Sequence, residues 1–163
     1  MSEIYVNING FSNYQVSNFG NVKNIKTGRI LKGVMDGSGY FQVVLFNDGE
    51  STKKKIHKLV ASEFLQNPEN KACVDHIDRN KTNNHLSNLR YATLSENQHN
   101  RTMNFNNTSG VIGVSFHKAN QKWRADIRVN GSIKHLGSFV LKEDAIRVRQ
   151  DAEVLYFQEF RAV

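Results

Sequence analysis

CVDHIDRNKTNNHLSNLRYATLSENQHN, residues 73–100, sets the reading of the whole chain. Ala72-Cys73-Val74 is small and apolar and predicts a buried strand ending at Asp75-His76. Residues 78–88 are almost wholly polar and rich in Asn and Asp, side chains that bond nearby backbone and favour turns. Leu89-Arg90-Tyr91-Ala92 alternates and predicts a second short strand. Thr93-Leu94-Ser95-Glu96 has the pattern of a capping box, with Thr93 as N-cap and Glu96 reaching back to its amide. A helix is therefore expected from Leu94 to about Met103. The order is strand, loop, strand, helix.

The chemistry of this stretch is concentrated. Asp75 offers a hard oxygen ligand of the kind Mg²⁺ or Ca²⁺ prefers. Its neighbour His76 titrates near neutral pH and can accept a proton from water. Asn97 follows on the helix, and Asn100 and Arg101 share its face at i+3 and i+4. A helix packed across the hairpin would bring Asn97 and Asp75 to one ion. Positions would stay open there for water and a phosphate oxygen, as metal-assisted phosphodiester cleavage requires. His57, His85 and His99 are expected to be structural, solvated or phosphate-facing.

Together these residues resemble the HNH nuclease motif, the ββα-metal fold. His76 matches the first His; Asn88, twelve residues on, matches the central Asn; Asn97, nine further, matches the third position. An Asn in that third place is similar to the phage and group I intron homing-endonuclease branch, not to the colicin branch. The resemblance implies that Asp75 and Asn97 bind one divalent ion, Mg²⁺ or Mn²⁺. It implies that His76 is the general base and that Asn88 holds the loop that orients it. Arg79 stands where the family usually has Gly, a change expected to alter the loop and not the metal site.

Composition bounds the partners. The chain has 163 residues, room for one ordinary domain or two to three small ones. Its 22 Lys+Arg against 15 Asp+Glu give a net charge of +7, which suits a nucleic acid or another anionic surface. No apolar run approaches the roughly 20 residues of a membrane span. The first residues, MSEIYVNING, lack the basic and apolar regions of a signal peptide. Cys73 stands alone, which excludes an internal disulfide and a Cys-rich zinc site. The expectation is a cytosolic protein with no membrane and no protein partner, acting as a monomer.

Ahead of the motif, residues 1–56 read as β-rich. Tyr14-Gln15-Val16-Ser17 alternates, Phe19-Gly20-Asn21 turns, and Val22 starts again. Lys26-Thr27-Gly28-Arg29 predicts a hairpin turn before Ile30-Leu31. Residues 39–45, GYFQVVL, are the strongest strand, and Asn47-Asp48-Gly49 is a hairpin signal before residues 51–56. Lys53, Lys54 and Lys55 are either a solvated strand end or phosphate contacts. INGFSNYQVSNFGNVKN and GYFQVVLF resemble the nuclease-associated module that precedes HNH motifs in phage endonucleases, which implies a module folded against the catalytic centre. Ile56, Leu59, Val60 and Phe64 recur at helical spacing, so residues 57–66 are expected to be an amphipathic helix ended by Asn67-Pro68.

Residues 104–109, NFNNTS, read as a linker. Beyond it Val111–His117 reads as a strand, and Lys122–Val129 alternates cleanly. Trp123, Ala125, Ile127 and Val129 face one way; Lys122, Arg124, Asp126 and Arg128 face the other. Asn130-Gly131 is a type I′ turn signal before a third strand at Ile133–Phe139. Ala145, Val148, Ala152, Leu155 and Tyr156 mark a helix from about Lys142, with Glu143 and Asp144 in its first turn as the dipole favours. GVIGVSFHK, KWRADIRVNG, KHLGSF and EDAIRVRQDAE resemble the APETALA-type DNA-binding domain of plant ethylene-response factors. That likeness implies a polar sheet face in the major groove, at Ser115, His117, Lys122, Asp126, Arg128, His135 and Ser138. Arg124 points the same way by alternation. Several Arg and Trp contacts of that family are replaced here, so its target sequence does not carry over.

The expected fold is α+β. It comprises a β-rich module (1–56), a ββα-metal catalytic motif (57–103), a linker (104–109) and a DNA-binding domain (110–163) of three antiparallel strands on one helix. The expected function is metal-dependent, site-directed cleavage of double-stranded DNA, by nicking, as in homing endonucleases. Asp75, His76, Asn88 and Asn97 are the catalytic candidates. The DNA contacts include Lys53–Lys55, Asn100 and Arg101. The rival is a non-catalytic DNA-binding regulator on a decayed HNH scaffold. An RNA-directed nuclease is the weaker third, since no residue stands out as a reader of the 2′-hydroxyl.

Overall fold

The computed structural model describes residues 2–100, 103, 105–129 and 131–160. It is a mixed α+β structure of small antiparallel sheets with few helices. The chain divides into two compact units, Met1–Thr93 and Leu94–Val163.

In the first unit, β1 (Tyr5–Ile8), β2 (Phe11–Ser17) and β3 (Val22–Asn24) form one sheet in that order. A second sheet holds β4 (Val34–Met35), β5 (Phe41–Asn47) and β6 (Glu50–Lys55). The β5–β6 hairpin follows from its turn. Asp48 and Gly49 both sit at positive φ, 51° and 83°, as a two-residue turn matching strand twist requires. Helix α1 (Ile56–Phe64) continues directly from β6. Its buried Ile56, Leu59 and Val60 meet Ile8, Tyr14, Val16 and Val22 of the first sheet, Val43 and Leu45 of the second, and Leu89. One core thus fastens both sheets, through α1, to the hairpin of β7 (Cys73–His76) and β8 (Leu89–Ala92).

The second unit begins with α2 (Leu94–His99). Three strands follow, β9 (Val114–His117), β10 (Lys122–Val129) and β11 (Ser132–Phe139), in the order β11-β10-β9, and then α3 (Lys142–Phe157). Ala125 and Ile127 turn inward with Val114, and α3 contributes Ala145, Ala152 and Phe157 to the same small cores. The β10–β11 ladder carries a bulge. Ala125 pairs with Gly137, but Asp126 pairs with His135, so Leu136 is an extra residue on β11. Leu136 drops into the core while His135 is exposed. Gly137 makes this possible: its φ is +144°, and a Cβ there would lie 2.7 Å from the Phe139 ring.

Several sequence expectations shift. The metal-motif helix ends at His99 among the described residues, short of Met103. Helix α1 spans 56–64 instead of 57–66, because Leu65 is already extended before Pro68. The strand expected from Val111 starts at Val114, after Gly113 at φ +81°. Ile30 makes only an isolated bridge to Lys23 where a hairpin return was expected. Strands β1 and β4 went unread. The units meet between Thr93 and Leu94, not in residues 104–109, and α2 falls with the C-terminal sheet. Asn130, expected in the β10–β11 turn, lies outside the described residues.

Candidate active site

Antiparallel pairing of β7 with β8 sets Asp75 opposite Arg90 and His76 opposite Leu89. Asp75 is buried, and its Oδ2 accepts from Arg90 Nε and Nη2, both at 2.9 Å. His76 is also buried, with Nε2 3.3 Å from Asn84 Oδ1. An amide oxygen can only accept, so Nε2 donates and the lone pair of the neutral ring falls on Nδ1. Burial lowers the His76 pKa below its ordinary value, against the opposing pull of the Asn84 bond and the Asp75 and Asp78 carboxylates. The shift favours the neutral ring, the form that takes a proton.

The polar loop is tied at its neck by Asn88. Its Oδ1 accepts from the Asp78 amide at 2.9 Å, and its Nδ2 donates to Asp78 Oδ1 at 2.8 Å and to the Asn83 carbonyl at 2.9 Å. Asp78 also accepts from Asn83 Nδ2 and the Asn80 amide. Burial would raise the Asp78 pKa, but these bonds outweigh it and keep the carboxylate ionised. Arg79 sits at φ +64°, a conformation that Gly adopts without cost and Arg does not.

The β2–β3 turn presses on this loop. The Leu86 amide donates to the Asn18 carbonyl at 2.8 Å, and Phe19 stacks on His85 with centroids 4.6 Å apart. Gly20, at φ +86°, comes so close that a Cβ would lie 2.8 Å from Asn84 Cβ. On another side of the imidazole, the His57 ring meets His76 edge-on at 4.9 Å, with Tyr40 at 4.8 Å from His57 and 5.8 Å from His76. Burial, then the nearby His76, lowers the His57 pKa to about 3. Of the lysine run, Lys53 is exposed, Lys54 lies over Phe11, and Lys55 pairs with Asp36 at 3.0 Å while lying over Tyr40. Lys55 is thus committed within the fold.

In the C-terminal unit, α2 presents Asn97 half-buried, and its His99 stacks on Phe157 of α3 with centroids 3.7 Å apart. Asn100, expected among the DNA contacts, is buried. Arg101 lies outside the described residues. The sheet register gathers the polar set: Lys122 opposite His117, Arg124 between Ser115 and Ser138, Asp126 opposite His135. All but the half-buried Asp126 are exposed, as is Arg128. Asp126 is the hub. Arg124 Nε lies 2.9 and 2.7 Å from its two oxygens, and His135 Nδ1 donates to Oδ1 at 2.9 Å. His135 Nε2 faces Ser138 Oγ at 3.4 Å. Arg128 Nη1 donates to the Gly131 carbonyl.

Comparison with known proteins places this geometry. Residues 3–46 match the NUMOD4 motif, and residues 54–99 match the HNH endonuclease family. A solved structure of DNA binding and cleavage by the HNH homing endonuclease I-HmuI is 31% identical, with a TM-score of 0.58 over 93% of this chain and 89% of that one. The chain belongs to the HNH endonuclease family. HNH relatives in sequence include the DNA endonuclease I-HmuI of Bacillus phage SP01, 39% identical over 63% of this chain and 56% of that protein. Another is the HNH endonuclease L247 of Acanthamoeba polyphaga mimivirus, 51% identical over 59% of this chain and 25% of that protein. The chain thus spans between a quarter and just over half of these two relatives.

HNH nucleases generally use a divalent metal ion, and the donors here fit a hard one. Asp75 offers a buried carboxylate. Among the described residues no group of three or more His, Cys, Asp or Glu side chains is assembled to hold a metal. An ion with so few protein ligands would complete its shell with water and phosphate oxygens, as Mg²⁺ does. The sequence passed over Tyr40, His57, Asn84 and Arg90 as parts of the HNH site. Arg90 was readable as the cation opposite Asp75 once the strands were paired. The other three reach His76 through contacts that no local spacing encodes.

Proposed function

We propose that the chain is a metal-dependent, site-directed DNA endonuclease of the homing type that nicks double-stranded DNA. One observation carries this: His76 is a buried imidazole at a strand end, its Nε2 3.3 Å from Asn84 Oδ1, beside the carboxylate of Asp75. His76 takes a proton from the attacking water at Nδ1. Asn84 fixes the tautomer, and Asn88 holds the loop that carries Asn84. Asp75 and Asn97 are the proposed ligands of Mg²⁺ or Mn²⁺; the role of Asn97 rests on its place in the motif. When bound, the ion supplies Lewis-acid stabilisation of charge at the phosphate and the leaving 3′ oxygen. One centre per chain cuts one strand, so a monomer nicks, and the enzyme works in the cytosol of its host. No helix among the described residues is long and apolar enough to cross a membrane.

Residues 110–163 are the proposed reader, an APETALA-type sheet that faces DNA with Ser115, His117, Lys122, Arg124, Asp126, Arg128, His135 and Ser138. The support is the one-sided polar face of a three-stranded sheet backed by α3. The test is supercoiled plasmid incubated with the pure protein, with Mg²⁺ and with Mg²⁺ plus chelator. Open circles should form only with free Mg²⁺. Plasmid that stays supercoiled in Mg²⁺ identifies a DNA-binding regulator instead.

A further inference from the structure

On the reading that this sheet faces DNA, we infer that Arg124 is a base-reading side chain whose aim is set by Asp126, with His135 and Ser138 as its buttress. The bonds run in one direction. The Ser138 hydroxyl donates to His135 Nε2, His135 Nδ1 donates to Asp126, and Asp126 takes Nε of Arg124. Each acceptor is thereby fixed by the donor behind it. With Nε held, the guanidinium plane is set, and among the described residues neither Nη group bonds to another side chain. Those two nitrogens are the pair that can bond O6 and N7 of a guanine together. A fork fixed before binding loses less side-chain freedom on contact, which concentrates the gain on the one base it fits.

Asp126 has a second effect. Its negative charge on a DNA-facing surface opposes the phosphates, so it lowers affinity for every sequence alike. It trades general affinity for choice. The β11 bulge serves the same end, because it brings His135 and Ser138, three residues apart, onto one face. In a regular strand residues three apart point to opposite faces.

The test uses the full chain. A pool of randomised duplexes is selected against the wild type, Asp126→Asn, Arg124→Ala and Arg128→Ala, and affinities are measured for the enriched duplex and a scrambled one. Asp126→Asn should bind the scrambled duplex more tightly, with a salt slope steeper by up to about 0.9. It should lose tenfold or more in discrimination, at the same base pair whose preference Arg124→Ala erases. Unchanged preference in Asp126→Asn, with a thermal midpoint like that of the wild type, overturns the inference while leaving the sheet as the DNA face. Unchanged affinity in Arg128→Ala, or no enriched sequence at all, removes the sheet as the reader, and the inference falls with it.

Discussion

At the scale of single residues the site is a buried imidazole held by its neighbours. His76→Ala should lower the single-turnover cleavage rate by about 10²–10⁴-fold, the usual cost of losing a general base. DNA affinity should change little, since the role proposed for the imidazole is on water and not on binding. A variant that cleaves at wild-type rate would show that another group is the base. Asn88→Ala removes three hydrogen bonds that close the loop. At a net of about 1 kcal/mol each, stability should fall by roughly 3 kcal/mol, and the rate should fall with it. Denaturant titration beside single-turnover kinetics checks both, and a loss of rate at full stability would make Asn88 more than a tie. Asp75, His76 and Asn88 were legible because their types and spacing recur within one short stretch. Asn84 was not, because Asn80 and Asn83 of the same loop look like it until the fold selects one to meet the ring.

Among the elements, α1 and the β2–β3 turn matter most. His57, on α1, is 3% exposed and its pKa falls to about 3 from 6.5. The unfolded chain therefore binds a proton that the folded chain refuses. This costs stability as pH drops from about 6.5 towards 3, by up to about 1.4 kcal/mol per pH unit. His57→Phe should flatten that dependence. Thermal midpoints measured at neutral pH and near pH 5 test it, and equal slopes for both proteins would place the lost protons elsewhere. Gly20→Ala forces a Cβ into Asn84 at a positive φ. It should slow cleavage, yet add little in an Asn84→Ala background, because both act on the same partner of His76; fully additive losses would refute that route. The β5–β6 hairpin was readable from Asn47-Asp48-Gly49, whose turn chemistry is local. Strand β4 was not, since two exposed residues pair only because β5 lies alongside. The β11 bulge was hidden for a related reason: alternation places His135 and Ser138 on opposite faces, and only the ladder reveals the extra residue.

Taken whole, the molecule does not divide where its composition changes. The polar run at residues 104–109 looked like the joint, but α2 belongs to the C-terminal unit and rests His99 on Phe157. A six-residue helix has no stability of its own and depends on such packing. Phe157→Leu, which keeps apolar volume but loses the stacked ring, should raise hydrogen exchange along α2. It should also lower cleavage at saturating DNA through Asn97; slower exchange or an unchanged rate would detach α2 from the chemistry. The position of α2 also bears on how such chains can be recombined. A crossover within 104–109 would leave His99 in one parent and Phe157 in the other, so a chimera joined there inherits a mismatched pair. A crossover after Thr93 keeps the pair but moves Asn97 along with the proposed reader. Swapping target preference between relatives therefore means transplanting one of the proposed metal ligands as well, and the joint must be chosen by that residue and not by the linker.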